Sequence, residues 1–179
     1  EDLCYWIANQ PTLSSLSNPK ILDIGTGSGC IAITLSQLIK NAQTTAWDIA
    51  SEALSLAKEN AKAMNVPLEV MEQDALNAPC DHEKWDIIVS NPPYITPKEQ
   101  SEMEANVLQF EPNCALFVPE NNPLIFYKAI THYAQKALVQ GGALFFEINP
   151  LFVSEMKSLL AESGFADIEV LIDRFGKER

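Results

Sequence analysis

The chain has 179 residues, of which 47% are hydrophobic and 20% are charged, so it lies within the range of one globular domain with a substantial core. Its net charge of −12 argues against a large phosphate-binding surface, because affinity for nucleic acids depends heavily on lysine and arginine. No apolar run approaches the roughly 20 residues that span a bilayer, and the four cysteines are widely spaced. We therefore expect one cytoplasmic domain over residues 1–179, with no membrane segment, disulfide framework or metal site.

Hydrophobic periodicity predicts helices and strands that alternate along most of the chain. In chain order, the predicted elements are a short helix closed at Gln10-Pro11, strand 20–24, helix 31–39, strand 44–49, helix 51–64, strand 67–71, strand 85–90, helix 124–138, strand 143–148 after the Gly141-Gly142 turn, helix 151–163 and strand 168–172. This alternation favours an α/β fold in which a mainly parallel sheet is covered by helices on both faces.

One segment, residues 95–122, breaks the alternation with a long stretch that is rich in proline and glutamate. Loops of this length are usually either functional or disordered. The segment directly follows a motif of interest, so we interpret it as a lid or a substrate-binding insert. A passive surface loop is the alternative.

That motif is Asn91-Pro92-Pro93-Tyr94, directly after the predicted strand 85–90. Because proline lacks an N–H and fixes φ, two prolines in succession leave carbonyl acceptors with few local donors, and the residue before them is kept out of helical geometry. A side-chain amide held in such a turn is suited to clamp a planar NH2 group. An ordinary turn is the alternative, because Asn-Pro is a common turn dipeptide.

Three further candidate groups follow predicted strand ends: the turn Gly25-Thr26-Gly27-Ser28-Gly29, then Asp48, then Asp74. In an open parallel sheet, ligands bind beyond the carboxyl ends of the strands, where the strand order reverses. The glycine turn lets backbone approach a ligand, although its spacing departs from the dinucleotide fingerprint. Asp48 is placed to accept from ribose hydroxyls, and Asp74 from an adenine amino group. The alternatives are a tight strand-to-helix connection and ordinary turn residues.

Other conspicuous side chains are less informative. Trp6, Trp47 and Trp85 are interpreted as packing residues, and His82 and His132 lack partners for a catalytic role. Glu147 ends a predicted strand and either faces the site or has a solvated or salt-bridged role.

Taken together, D-I-G-T-G-S-G, the acid after the second strand, Q-D-A-L after the third and N-P-P-Y after the fourth resemble the class I S-adenosylmethionine-dependent methyltransferases that modify planar amino groups. More closely, the chain is similar to the HemK/PrmC family, the peptide chain release factor glutamine methyltransferases. The closer similarity covers essentially the whole chain. It depends on Phe110-Glu111-Pro112, Ala115-Leu116, Gly141-Gly142, Phe146-Glu147 and Asp173-Arg174-Phe175-Gly176.

This resemblance implies a Rossmann-like fold with a mainly parallel, seven-stranded sheet whose edge is antiparallel. It also implies an N-terminal helical domain, which is absent here, and a last edge strand that begins where the chain stops at Arg179. The implied cofactor is S-adenosylmethionine, with S-adenosylhomocysteine as product. The residues implied to bind it are Gly25, Thr26, Gly27, Gly29, Asp48, Ile49, Asp74, Ala75 and Asn91.

The implied substrate is the glutamine of a Gly-Gly-Gln loop in a peptide chain release factor. The residues implied to bind it are Asn91, Pro92, Pro93 and Tyr94, of which Asn91, Pro92 and Tyr94 are the catalytic candidates. The protein is expected to act as a monomer without direct contact to nucleic acid.

Two other functions use the same features. A nucleic-acid methyltransferase would apply the same clamp to the exocyclic amine of adenine or guanine, but the acidic charge and the Phe110-Glu111-Pro112 stretch argue against it. A non-catalytic cofactor-binding protein would have no need of Asn91, so the intact turn argues against that function.

Overall fold

The computed structural model describes residues 2–11, 13, 16–95, 118–173 and 176–178. The expected role of the segment 95–122 as a lid or substrate-binding insert stays a prediction, because most of this segment lies outside the described residues. Also outside them are the stretches 110–112 and 115–116 and Arg174 and Phe175, on which part of the family resemblance depends.

Helices and strands alternate as the periodicity predicts, with boundaries that differ by a few residues. The elements in chain order are α1 (Asp2–Ala8), β1 (Lys20–Ile24), α2 (Cys30–Leu38), β2 (Gln43–Asp48), α3 (Ser51–Ala63), β3 (Glu69–Glu72), β4 (Trp85–Ser90), α4 (Ile125–Ala137), β5 (Leu138–Phe146) and α5 (Val153–Glu162). Short 3-10 turns occupy Ala75–Asn77 and Pro150–Phe152.

The five described strands form one sheet in the order β3-β2-β1-β4-β5, and every neighbouring pair is parallel. The chain runs outward from β1 to β3 and then crosses back to β4, so the strand order reverses between β1 and β4. Ligands bind at such a switch point in open α/β sheets. The fold class predicted from the sequence is confirmed.

Apolar side chains cover both faces of the sheet because successive strand residues point in opposite directions. Leu22 and Ile24 of β1 pack with Ile130 and neighbouring residues of α4 on one face. Ile21, which precedes Leu22 and points to the opposite face, packs with α1 and α2 residues such as Ile7 and Leu35. The central strands are therefore buried from two sides.

The tryptophans serve packing, as predicted. Trp47 and Trp85 are buried, and Trp6 makes an edge-to-face contact with Phe145. Among the helices that the structure describes, none combines the length and the apolar character that crossing a membrane requires.

Two predictions near the C-terminus need correction. The glycine pair Gly141-Gly142 lies inside β5, beside an irregularity where the register with β4 shifts between Trp85 and Ile87. The predicted strand at 168–172 is not formed; the segment makes one isolated antiparallel bridge, from Ile172 to Glu178. A strand requires a hydrogen-bonded neighbour, and no described strand pairs with this segment or with the outer edge of β5. Five of the seven expected strands are thus present in the described ranges.

Candidate active site

The carboxyl ends of the strands come together at one edge of the sheet. In the ladders, Ile24 at the end of β1 lies opposite Trp47 of β2 and Ser90 of β4. Ser90 in turn lies opposite Phe146 of β5. The segments that follow these residues, from Gly25, Asp48, Asn91 and Glu147, therefore leave the sheet along the same rim. The predicted convergence is confirmed, while the individual roles of the residues remain predictions.

The glycine turn leaves its backbone accessible at the rim. Gly25 and Gly27 have φ values of 71° and 55°, and no heavy atom lies within 4 Å of the position that a Cβ would take at either residue. The N–H groups of Gly25 and Thr26 both donate to the Trp47 carbonyl, at 2.8 and 2.9 Å. The turn is thus anchored to β2 while its outer side is open to a ligand.

Gly29 has a different role, because it lies against α3. A Cβ at this position would stand 3.1 Å from the Ala57 Cβ and 3.2 Å from the Ile33 Cδ1. Its φ of 84° is also a left-handed conformation that residues with a side chain rarely adopt. Gly29 therefore permits the close approach of α3 to the start of α2.

Replacing Gly29 with alanine is expected to lower the free energy of unfolding by about 1–2 kcal/mol from the left-handed backbone alone, and further because of the contacts with α3. Gly164 is a matched control, because its φ is also 84° but no atom lies within 4 Å of its Cβ position. Urea denaturation should find Gly29→Ala less stable than Gly164→Ala. Equal losses would mean that the contact with Ala57 is not restrictive.

Asp48 is partly buried and its carboxylate is oriented by backbone donors. Its Oδ2 accepts the Gly27 N–H at 2.9 Å, and its Oδ1 accepts the Ala50 N–H at 3.0 Å. Each carboxylate oxygen has a second lone pair, so both can still accept from a ligand hydroxyl. The next residue, Ile49, is 62% exposed and offers an apolar surface on the same rim.

Asp74 reaches the rim because the Gln73 N–H donates to the Asp48 carbonyl at 2.9 Å. Its side chain caps the following 3-10 turn, accepting from the Leu76 N–H at 2.9 Å and from the Asn77 side-chain amide. This is the structural role that the sequence leaves open as the alternative. Its binding to adenine remains a prediction, as does cofactor binding by the partly buried Ala75 beside it.

Asp23 supports the glycine turn from below and is not among the residues predicted from the sequence. It is fully buried, and its Oδ2 accepts from the Thr26 hydroxyl at 2.7 Å and from the Ala32 N–H at 3.2 Å. Its Oδ1 is buried with no hydrogen-bond partner among the described residues. Burial raises the pKa of this carboxyl to about 6, although the hydrogen bonds from Thr26 and Ala32 lower it. The nearby carboxylate of Asp48 raises the pKa further. The sequence signal that could have identified Asp23 is the single acidic residue within the apolar strand K-I-L-D-I.

The Asn91-Pro92-Pro93-Tyr94 turn is adjacent to the glycine turn. The Ser90 hydroxyl donates to the Ile24 carbonyl at 2.7 Å, which ties the end of β4 to the end of β1. Beyond Ser90, Asn91 is exposed while Pro92 is buried. Asn91 therefore lies at the surface of the rim, while the next residue, Pro92, is packed in the interior.

Two hydrogen bonds connect Tyr94 to the segment after β5, and a third connects α4 to the same segment. The Tyr94 hydroxyl donates to Glu147 Oε1 at 3.4 Å, and Asn149 Nδ2 donates to the Tyr94 carbonyl at 3.2 Å. The Tyr127 hydroxyl of α4 donates to the Glu147 carbonyl at 3.0 Å. Glu147 thus faces the site, one of the two orientations that the sequence allows. Tyr127 and Asn149 carry no distinguishing sequence signal.

Comparison with known proteins finds bacterial relatives of similar sequence. The chain is 45% identical over 161 residues to the release factor glutamine methyltransferase of Bacteroides thetaiotaomicron, covering 89% of this chain and 58% of that protein. It is 42% identical over 180 residues to the protein of the same name from Flavobacterium psychrophilum, covering 100% of this chain and 63% of that protein. The chain therefore spans about three-fifths of the length of these relatives.

The fold has close counterparts among solved structures. A ribosomal protein L11 methylase from Lactobacillus delbrueckii subsp. bulgaricus superposes with a TM-score of 0.63 at 23% identity, covering 94% of this chain and 70% of that chain. The family model for the methyltransferase small domain matches residues 10–111, more than half of the chain. With its parallel sheet, its glycine turn and the Asn91 turn beside it, the chain belongs to the methyltransferase small domain family and has the Rossmann-like class I methyltransferase fold.

Proposed function

We propose that the chain transfers a methyl group from S-adenosylmethionine to the side-chain amide nitrogen of the glutamine in the Gly-Gly-Gln loop of a peptide chain release factor. S-adenosylhomocysteine is the second product, and the protein acts as a cytoplasmic monomer. The observation that carries the proposal is the exposed amide of Asn91, held in a proline turn directly beside the glycine turn. The names of the two bacterial relatives support glutamine as the methylated group.

The residues at the rim fit the cofactor. Gly25 and Gly27 leave open space where side chains would stand, so backbone can approach a bound ligand. Asp48 supplies an oriented carboxylate for ribose hydroxyls. S-adenosylmethionine carries its methyl group on a positively charged sulfur, which makes that methyl electrophilic. The negative carboxylates of Asp48 and Asp23 on this side of the sheet favour a cationic ligand.

The Asn91 turn is suited to a specific difficulty of amide methylation. An amide nitrogen is a poor nucleophile because its lone pair is delocalised into the carbonyl. If the Asn91 side-chain oxygen and the Pro92 carbonyl each accept one N–H of the substrate amide, the nitrogen is held in line with the methyl group. The same two oxygens stabilise the positive charge that develops on nitrogen. Positioning and fixed dipoles of this kind supply most of the rate when no strong base takes part.

Tyr94 completes this arrangement. Its ring is partly buried, and its hydroxyl is turned to Glu147. The ring can then pack against the plane of the substrate amide and exclude water. After methyl transfer the nitrogen still carries two N–H groups, one donating to the Asn91 oxygen and the other to the Pro92 carbonyl, and it becomes neutral when one of these protons passes to solvent.

The deciding experiment measures the transfer of labelled methyl from S-adenosylmethionine to three acceptors. These are a release factor, the same factor with its Gly-Gly-Gln glutamine replaced, and DNA or ribosomal RNA. Labelling of the first acceptor alone is expected. Labelling of nucleic acid would assign the same clamp to a base amine, and cofactor binding without any transfer would indicate a non-catalytic protein. The assay uses this chain and, if it forms part of a longer polypeptide, that polypeptide as well.

Asp48→Ala is expected to weaken cofactor binding by about 10- to 100-fold, because a hydrogen bond to a charged group contributes ~1.5–3 kcal/mol. Isothermal titration calorimetry with S-adenosylhomocysteine measures the change. Asp86→Ala is the matched control: Asp86 is also partly buried and accepts a backbone N–H, that of Lys20 at 2.7 Å, but at the opposite edge of the sheet. Equal affinities for the two variants would remove Asp48 from the ribose role.

A further inference from the structure

We propose that Tyr127 of α4 and Asn149, which follows β5, are positioning residues for methyl transfer. They hold the Asn91–Tyr94 turn in its working geometry without touching the substrate. The inference rests on the proposed function, since it concerns the same clamp. It is carried by the hydrogen bonds that connect the turn to the rest of the fold.

The turn depends on contacts from outside because its own backbone offers little support. Pro92 and Pro93 have no N–H, so this part of the chain is held mainly through carbonyls and side chains. The last link between the end of β4 and β5 is the Glu147 N–H, which donates to the Ser90 carbonyl at 3.0 Å. Beyond it, the hydrogen bonds described between the turn and the segment after β5 are those of Tyr94.

Tyr127 acts on Tyr94 through Glu147. Its hydroxyl donates to the Glu147 carbonyl at 3.0 Å, and the carboxylate of the same Glu147 accepts from the Tyr94 hydroxyl at 3.4 Å. The second distance is long for a hydroxyl and a carboxylate, so this contact is sensitive to small displacements of Glu147. Tyr127 fixes the backbone of Glu147 and thereby the distance to Tyr94.

Tyr127 is itself rigidly held. It is fully buried, and its ring makes an edge-to-face contact with Phe146, with 5.2 Å between the ring centres. It shares an apolar cluster with Ile148 and Val153, against which Tyr94 also packs. Burial raises the pKa of the Tyr127 hydroxyl far above its usual range, so the group remains a donor throughout the working pH range.

Asn149 holds the other side of Tyr94. It is 3% exposed, and both ends of its amide are used. Its Oδ1 accepts the Leu151 N–H at 3.0 Å and so caps the Pro150–Phe152 turn, while its Nδ2 donates to the Tyr94 carbonyl at 3.2 Å. Asn149 therefore connects the Pro150–Phe152 turn to Tyr94 through the two ends of one buried amide.

The helix α4 provides a matched control in Tyr133. This tyrosine is also buried, and its hydroxyl donates to Asp81 Oδ2 and accepts from Trp85 Nε1, both at 2.7 Å. Trp85 is the first residue of β4, so the Tyr133 hydroxyl lies toward the opposite edge of the sheet from Asn91. Tyr127→Phe and Tyr133→Phe therefore remove the same group from the same helix, with only one of them linked to the clamp.

The test measures kcat and KM for release factor methylation, together with the Kd for S-adenosylhomocysteine. Tyr127→Phe is expected to lower kcat by about tenfold or more, since small misplacements of a reacting group are costly. KM and Kd should stay within about twofold of the unchanged protein. Tyr133→Phe should leave all three constants within about twofold, even where it reduces thermal stability. Equal losses of kcat in both variants, or an unchanged kcat in Tyr127→Phe, would overturn the inference.

A second readout does not depend on turnover. Hydrogen exchange of the Glu147 amide should accelerate in Tyr127→Phe but not in Tyr133→Phe. Asn149→Asp keeps an oxygen to cap the 3-10 turn but loses the donor to Tyr94, and it should lower kcat to a similar degree. Full kcat in Asn149→Asp would remove Asn149 from this role. An unchanged protein that methylates no release factor would instead refute the proposed function itself.

Discussion

Asn91→Ala is expected to lower kcat for glutamine methylation by about 10² or more while S-adenosylhomocysteine still binds, a typical loss for one preorganised polar contact at a reacting centre. The reason is geometric: the Asn91 side chain is exposed at the rim next to the glycine turn, whereas Asp48 and the glycines remain in place without it. Single-turnover transfer of labelled methyl to a release factor measures the loss. Calorimetry on the same sample measures cofactor affinity.

Asn9→Ala is a suitable control, because Asn9 is also exposed but its side-chain amide donates to the Tyr5 carbonyl of α1. It should methylate at the normal rate. Asn91→Gln retains an amide but displaces it by one methylene, so its rate should also be low. Near-normal turnover by Asn91→Ala would exclude the clamp as the source of catalysis, whatever the substrate.

Asp23→Asn is expected to become more stable relative to the unchanged protein as the pH rises from about 4 to 7. Burial raises the pKa of Asp23 from 3.8 to about 6, so the folded state binds this proton more tightly than the unfolded chain. The resulting stabilisation is fully present below pH 3.8 and is lost as the pH rises through about 6. One pKa unit corresponds to ~1.4 kcal/mol, so the difference amounts to roughly 3 kcal/mol.

Urea denaturation of both proteins across this pH range measures the effect. The difference in unfolding free energy between them cancels contributions from other titrating groups. Thr26→Val provides an independent check, because the Thr26 hydroxyl donates to Asp23 and lowers its pKa. Without that bond, the loss of stability should occur at a higher pH than in the unchanged protein. A difference between Asp23→Asn and the unchanged protein that stays constant with pH would show that the buried carboxyl does not titrate in this range.

Periodicity was a reliable guide to the central elements. Strands β1 and β4 are buried from both faces, so each carries a largely apolar run that ends at turn residues. The segment 168–172 has a similar apolar composition but does not form a strand, because strand formation depends on a neighbour to pair with. That condition belongs to the sheet as a whole and cannot be read from the segment itself.

In the candidate site, too, some residues could be predicted from local sequence and others depend on tertiary contacts. Gly25, Asp48 and Asn91 could be predicted because each lies at or directly after the carboxyl end of a strand, and parallel strands end at one edge. Tyr127 and Asn149 could not, since they lie far from Tyr94 in the sequence and reach it only through the packing of α4 and β5. Asp74 also follows a strand and was predicted to bind the cofactor, but its carboxylate caps the 3-10 turn that comes directly after it.

The sequence by itself determined the alternation of strands and helices, the rim on which the polar groups meet, and the stiff turn that presents Asn91. These depend on local properties: hydrophobic period, the φ of proline and the freedom of glycine. Only the tertiary structure decided that Asp23 is buried with one oxygen that no described residue pairs, that Glu147 turns toward Tyr94, and that α4 contacts the segment behind the clamp. Burial and hydrogen-bond partners are properties of contacts between distant segments, which a linear pattern does not contain.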